Sequence, residues 1–329
     1  MNINKWVPLA VIAALAALPL VAFSQAWPTK PIRVIIPHPM GGPADLPPRA
    51  MGQALLPILG QPFVVENRLG ADGIIGAEAC AKAPPDGYTL CAMSNGVTVV
   101  NPVLMPKMPF DVVRDFVPIV HTGTLHTMVM ASSKTPYNSL REVIAAARAK
   151  PNSITFGTYG QITLSYFVYE WLRVKMGAQL LQVPYKGSSP ALQAVLTGEV
   201  DIAGYALGAA RTHARAGKVK ALAVNSDKRL ASVPDVPTLK ELGIDVSYRS
   251  WFAFYAPSGT HAEIVRRLNT EIGRLVLDPQ FSSKVLDTQG LEVEGAAGAP
   301  QEEFIRYIAA ERAEFAAMVM TLGLKPQLQ

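Results

Sequence analysis

Five segments hold residues whose types and spacing suit the binding of a small anion. Pro37-His38-Pro39-Met40-Gly41-Gly42-Pro43-Ala44-Asp45 follows a β-branched run and leads towards a helix near Arg49. Paired glycines let backbone N–H groups approach a ligand closely, and a helix N-terminus behind them favours a carboxylate by about 0.3–1 kcal/mol. The stretch from Glu66 through Gly70 and Gly73 to Gly76 feeds glycines into a second helix, and Ser94-Asn95-Gly96 closes a strand with a polar loop. Gly157-Thr158-Tyr159-Gly160-Gln161 follows a short strand, and Val183-Pro184-Tyr185-Lys186-Gly187-Ser188-Ser189-Pro190-Ala191 passes from strand to helix. There Ser188 or Ser189 can cap the helix while free N–H groups face a ligand.

Other chemistries lack support. The chain has no G-x-S-x-G elbow, no G-x-G-x-x-G and no Walker loop, since Gly217-Lys218 lacks the upstream Gly and the following Ser/Thr. Paired carboxylates brought together by the fold stay open as an enzymatic alternative. His38, His121, His126, His213 and His261 are scattered without the i,i+4 pair of a helical zinc site, so no metal and no cofactor are expected. Lys+Arg number 30 against 25 Asp+Glu, and this mild, dispersed excess carries no stripe for nucleic acid. Cys80 and Cys91 are the only cysteines. Two cysteines exclude a disulfide-stapled scaffold, and an oxidising compartment permits them to pair without requiring it.

The elements that must position these segments begin after residue 26. Lys5, an apolar run from Val7 to Phe23 interrupted by Pro8 and Pro19, and small or polar residues at Ser24, Gln25 and Ala26 have the layout of a secretory signal peptide. The run is short for a spanning helix. Removing residues 1–26 leaves about 300, more than one comfortable core, so two lobes are expected. Short β-branched runs at 32–37, 63–66, 88–93, 155–156, 180–184, 201–204 and 221–224 alternate with helical stretches at 50–59, 74–82, 139–150 and 164–176. Ser139 with Glu142 three residues on is a capping box, and Pro151 stops that helix. Amphipathic helices over 262–277 and 301–322 are expected to close the core of the first lobe. The alternation argues for an α/β chain of parallel sheets with helices on both faces, and ligands bind beyond the carboxyl ends of such strands.

Trp27-Pro28-Thr29-Lys30-Pro31-Ile32-Arg33, the Gly-Gly-x-x-Asp turn, Val65-Glu66-Asn67-Arg68, Pro85-Asp86-Gly87-Tyr88-Thr89-Leu90, Val183-Pro184-Tyr185-Lys186-Gly187 and Pro234-Asp235-Val236-Pro237-Thr238 occur in one order. This chain resembles the tripartite tricarboxylate transporter receptors, the Bug-type periplasmic solute-binding proteins, over essentially the whole length after the leader. The resemblance implies a two-lobed periplasmic-binding-protein fold of the type II, Venus-flytrap kind, with a hinge between two doubly wound lobes. It also implies a periplasmic, monomeric receptor that encloses a small carboxylate and delivers it to an inner-membrane permease. Carried over residue by residue, the ligand positions are Met40, Gly41, Gly42 and Asp45 with Ser94 and Asn95 from lobe one. From lobe two they are Thr158, Tyr159, Gly160 and Thr163, then Lys186, Gly187 and Ser188, and Tyr205. The chain crosses between lobes near 120–127 and 248–255, which places 27–122 with 252–329 in lobe one and 123–251 in lobe two.

The departures from the family pattern change the expected ligand. A Ser-Ser-Gly-x-Gly-Ser loop followed by His is usual, and here Thr158-Tyr159-Gly160-Gln161-Ile162-Thr163 is followed by Tyr166. Tyr205 stands where an Asp is common, and His38 where an aromatic often precedes the Gly-Gly turn. Rings in place of small hydroxyl and acidic groups suit an aromatic or otherwise apolar acid better than a compact polyol acid. Alternatives for single residues stay open: Tyr166 as packing, Asp45 as a brace towards Arg49, Lys186 in solvent, and His38 as a cation below about pH 6.5 or a core histidine. The same fold could equally present its closed form to a sensor kinase of a two-component system.

Overall fold

The structure is a computed structural model and describes residues 27–105, 107–160, 163–246 and 248–324. The expected leader, residues 1–26, lies outside the described residues, as do Gln161 and Ile162.

Strand β1 (Ile32–Ile36) buries Val34 and Ile36 on one face and Ile35 on the other, the period-two pattern of a strand covered on both sides. It pairs in parallel with β2 (Phe63–Asn67) and β3 (Thr89–Ser94). Helix α1 (Leu46–Leu59) has Pro47 and Pro48 in its first turn and ends on Gly60, whose φ of +72° suits glycine. Helix α2 (Ile74–Ala81) is joined to β3 by a disulfide between Cys80 and Cys91, with Cα atoms 6.2 Å apart. The pairing that spacing left open is thus made between adjacent layers of one lobe.

Strand β4 (Phe116–Leu125) leaves the first sheet, turns at His126 and continues as β5 (Thr127–Ser132) in the second. Then follow α3 (Leu140–Ala149), β6 (Thr155–Thr158), α4 (Leu164–Val174), β7 (Leu181–Pro184), α5 (Ser188–Thr197), β8 (Ile202–Ala206), α6 (Leu207–Arg215) and β9 (Val219–Val224). The Ser139 hydroxyl accepts from the Glu142 amide at 3.2 Å, as the capping box requires. Strand β10 (Ser250–Pro257) returns to the first sheet, followed by α7 (Ala262–Leu277), β11 (Leu291–Glu292) and α8 (Gln301–Leu322).

The sheets run β11-β4-β10-β3-β1-β2 and β7-β6-β8-β5-β9. Neither is wholly parallel, which differs from the expectation: β10 is antiparallel to β3 and β4, and β5 is antiparallel to β8 and β9. The reason is the crossing itself. A strand arriving from the other lobe enters at the edge where its neighbours end, so it must run against them. Helix α8 packs on β4 as anticipated, but its Phe315 ring also meets Phe167 of α4 at 5.3 Å, so it touches both lobes rather than closing lobe one alone.

Candidate functional site

The carboxyl ends of β1, β3 and β4 form one edge of the first sheet, and those of β6, β7, β8 and β9 form one edge of the second. Both crossings, at His126 and between Tyr248 and Ser250, leave from these edges, so the edges face each other across the hinge. All the ligand positions taken from the sequence lie on them.

In lobe one the 40–45 turn is held from within. Gly41 has φ +85°, a left-handed value that favours glycine. Its N–H donates to Asp45 Oδ2 at 2.9 Å. Asp45 Oδ1 accepts from Arg49 Nε at 3.0 Å and Asn67 Nδ2 at 2.8 Å, while Arg49 Nη2 donates to Asn67 Oδ1 at 2.6 Å. Burial would raise the Asp45 pKa, but the hydrogen bonds from Arg49, Gly41 and Asn67 and the Arg49 charge hold it below the usual carboxylate range. Asp45, 2% exposed, therefore braces the turn and is already neutralised. Pro47 and Pro48 carry no N–H and the Leu46 amide returns to Gly42 O, so α1 supplies its dipole but few donors. Among the described residues the amides of Met40, Gly42 and Ala44 make no hydrogen bond, and of these three residues Ala44 is buried. Met40 is exposed, and a Cβ at Gly41 or Gly42 would meet nothing within 4 Å, so the turn lies against open space.

His38 precedes the turn, with its ring 6.0 Å from Phe252 and edge-on to it. Burial pushes its pKa down to about 4, so near neutral pH it is an uncharged ring rather than a cation. Ser94 and Asn95 end β3 and are both buried. Asn95 spends its amide on the second crossing, donating to Arg249 O and accepting from the Trp251 amide at 3.3 Å.

In lobe two, Thr158 is buried at the end of β6 and accepts from Gln182 Nε2 at 2.9 Å. Thr163 caps α4, accepting from the Tyr166 amide at 3.4 Å and donating to Gly160 O at 3.2 Å. Helix α5 starts after Gly187, φ +113°, and no side chain caps it. Ser188 and Ser189 therefore do not act as caps, and their amides stay free of side-chain acceptors. Lys186 and Gly187 are exposed and Ser188 is half-buried. Tyr159 is half-buried, its hydroxyl pKa raised by burial and by the neighbouring Tyr248 and Tyr205 hydroxyls. Tyr166 lies half-buried against Phe167, with ring centroids 5.9 Å apart, which is a packing position.

A family model described as the tripartite tricarboxylate transporter family receptor matches residues 48–324. The chain belongs to that receptor family. It is 33% identical to the protein BugT of Bordetella pertussis over 319 residues, covering 96% of each. Among solved structures, R. palustris Rpa4515 with adipate superposes with a TM-score of 0.80 at 30% identity, over 92% of this chain and 100% of that one. MatC from Rhodopseudomonas palustris with bound malate gives 0.74 at 28% identity, over 89% of this chain and 100% of that one.

Two residues of the second crossing escaped the sequence reading. Tyr248 is buried in the second crossing, 5.1 Å from the Phe167 ring and 6.3 Å from Phe315. Arg249 beside it bonds Asp227 Oδ1 at 2.6 Å and Glu311 Oε1 at 2.8 Å, tying the crossing to α8. Neither carries a motif; only their place between Asp245 and strand β10 could have signalled them.

Proposed function

We propose that this chain is a periplasmic solute receptor that closes on a small carboxylate with an apolar body, aromatic acids included, and hands it to an inner-membrane permease of the tripartite tricarboxylate type. The observation that carries this reading is the set of helix N-termini at the facing edges. The amino ends of α1, α4 and α5 lie there, α5 without a side-chain cap, and the one acid among the candidate residues, Asp45, is neutralised by Arg49. Such an edge favours an anion over a neutral solute. The apolar preference rests on the rings of Tyr159 and Tyr205, which stand on this edge where the family pattern has a small hydroxyl and an acidic group. Closure would shift a hinged equilibrium, and the permease would read the closed surface. Residues 1–26 would direct export and be removed.

A thermal-shift screen of the protein lacking residues 1–26 tests this. At 100 times its Kd a ligand stabilises by about 2.7 kcal/mol. Aromatic and aliphatic mono- and dicarboxylates should raise the melting temperature, and their primary amides should not. An amide that stabilises as well as its acid overturns the carboxylate anchor; a response to citrate-like polyol acids alone overturns the apolar preference and keeps the receptor.

A further inference from the structure

The first crossing holds a cluster that the proposed capture of an acid does not use. His126, the residue between β4 and β5, is fully buried. Its Nδ1 lies 2.9 Å from Asn225 O. A carbonyl oxygen only accepts, so Nδ1 carries the proton and the neutral ring presents a lone pair at Nε2. That nitrogen is buried and, as a neutral lone pair, makes no hydrogen bond, yet it faces two carboxylates, Glu294 Oε1 at 3.1 Å and Glu292 Oε2 at 3.8 Å; burial would lower the ring's pKa, and their charges raise it instead. A lone pair aimed at two anions lacks a positive partner between them.

We propose that His126, Glu292 and Glu294 form a divalent-cation site, of a nitrogen-and-carboxylate composition suited to zinc, that fastens the first crossing to β11 and the loop after it. The geometry fits. Zinc takes imidazole nitrogen and carboxylate oxygen at about 2.0–2.2 Å, which in a tetrahedron separates the ligand atoms by about 3.3–3.6 Å. The two separations from Nε2 bracket that value, and the three ligand atoms all lie within 4.8 Å of one another. Both glutamates are about one-third exposed, which leaves room for water at a fourth position and a path for the ion. The Nδ1 contact to Asn225 O is the outer-shell partner that fixes the tautomer of metal-binding histidines. The nearby charges are Asp287 and Arg211, whose effects on Glu292 are opposed. A second proton on the ring is the competing occupant of the same lone pair.

The test uses the whole protein without residues 1–26 and without a histidine tag, freed of metal by chelator and titrated calorimetrically with zinc chloride near pH 7.5. One equivalent should bind, with a melting-temperature rise of about 5 °C when saturated. X-ray absorption should report one nitrogen and two or three oxygens around the ion. The double variant Glu292→Gln, Glu294→Gln, which alters partly exposed side chains, should fold and bind zinc at least about 100-fold more weakly; His126→Gln is the second variant. No binding at one equivalent means that a proton suffices and overturns the site. Undiminished stoichiometric binding by the double variant places the metal elsewhere and overturns it too.

Discussion

In lobe one the 40–45 turn is fixed from within by four hydrogen bonds among Gly41, Asp45, Arg49 and Asn67, none of which needs a ligand. The facing loops of lobe two are held differently: the first is tied at its ends by Thr163 to Gly160 O and by Gln182 to Thr158, while in the second Lys186 and Gly187 are exposed and α5 is uncapped, and Tyr159 and Tyr205 are half-buried. The contrast separates two tasks. A pre-set turn can hold the feature common to all acids, the carboxylate, with little ordering cost at binding. Loops with few constraints can exchange small hydroxyls for rings and so change which acid fits without disturbing the turn.

The largest effect should come from putting a charge into the turn itself. Gly42 has room for a side chain, so Gly42→Asp should fold normally and lose about 4 kcal/mol of binding to the best acid, read by calorimetry. Affinity kept at the wild-type level would remove the turn from the site. Asp45→Ala leaves Arg49 and the Gly41 amide without their acceptor and should cost about 3 kcal/mol of stability in urea, with weaker binding of every acid alike. If one acid weakened and another did not, selectivity would extend into lobe one.

A smaller effect follows pH. His38 has a folded pKa of about 4, below its unfolded value near 6.5, so the fold favours the neutral ring. That contribution is present above pH 6.5 and is lost as pH falls from 6.5 towards 4, about 2 kcal/mol by pH 5. His121, stacked with Phe304 and Tyr307 and also at about 4, adds to the same slope. His38→Phe should flatten part of it in urea titrations at pH 8 and 5, and an unchanged slope would show that His38 titrates normally. The smallest effect tests the variable half: Tyr205→Ser should weaken aromatic acids by about tenfold and aliphatic ones less. Equal losses would make Tyr205 a packing residue.

Much of the architecture was legible because periodicity survives in a single chain. The helices at 262–277 and 301–322 occupy Ala262–Leu277 and Gln301–Leu322, and the box at Ser139 and Glu142 forms as read. Long-range pairing is what spacing could not show. The resemblance placed a crossing near 120–127, but the residue at which the strand breaks between sheets, His126, was not marked by spacing. Asn67 stood in a quoted motif, yet its bond to Asp45 spans 22 residues and arises only when β2 lies beside β1. Cys80 and Cys91 became partners through the packing of α2 on β3.

The helix amino ends that meet across the cleft also bear on the empty receptor. Like partial charges brought together without an anion between them repel, so the shut form of the proposed receptor would carry an electrostatic cost until a carboxylate arrives. On the proposed function, the ligand would serve as the counter-ion of the closed form, and a permease reading closure would read occupancy through the same charge.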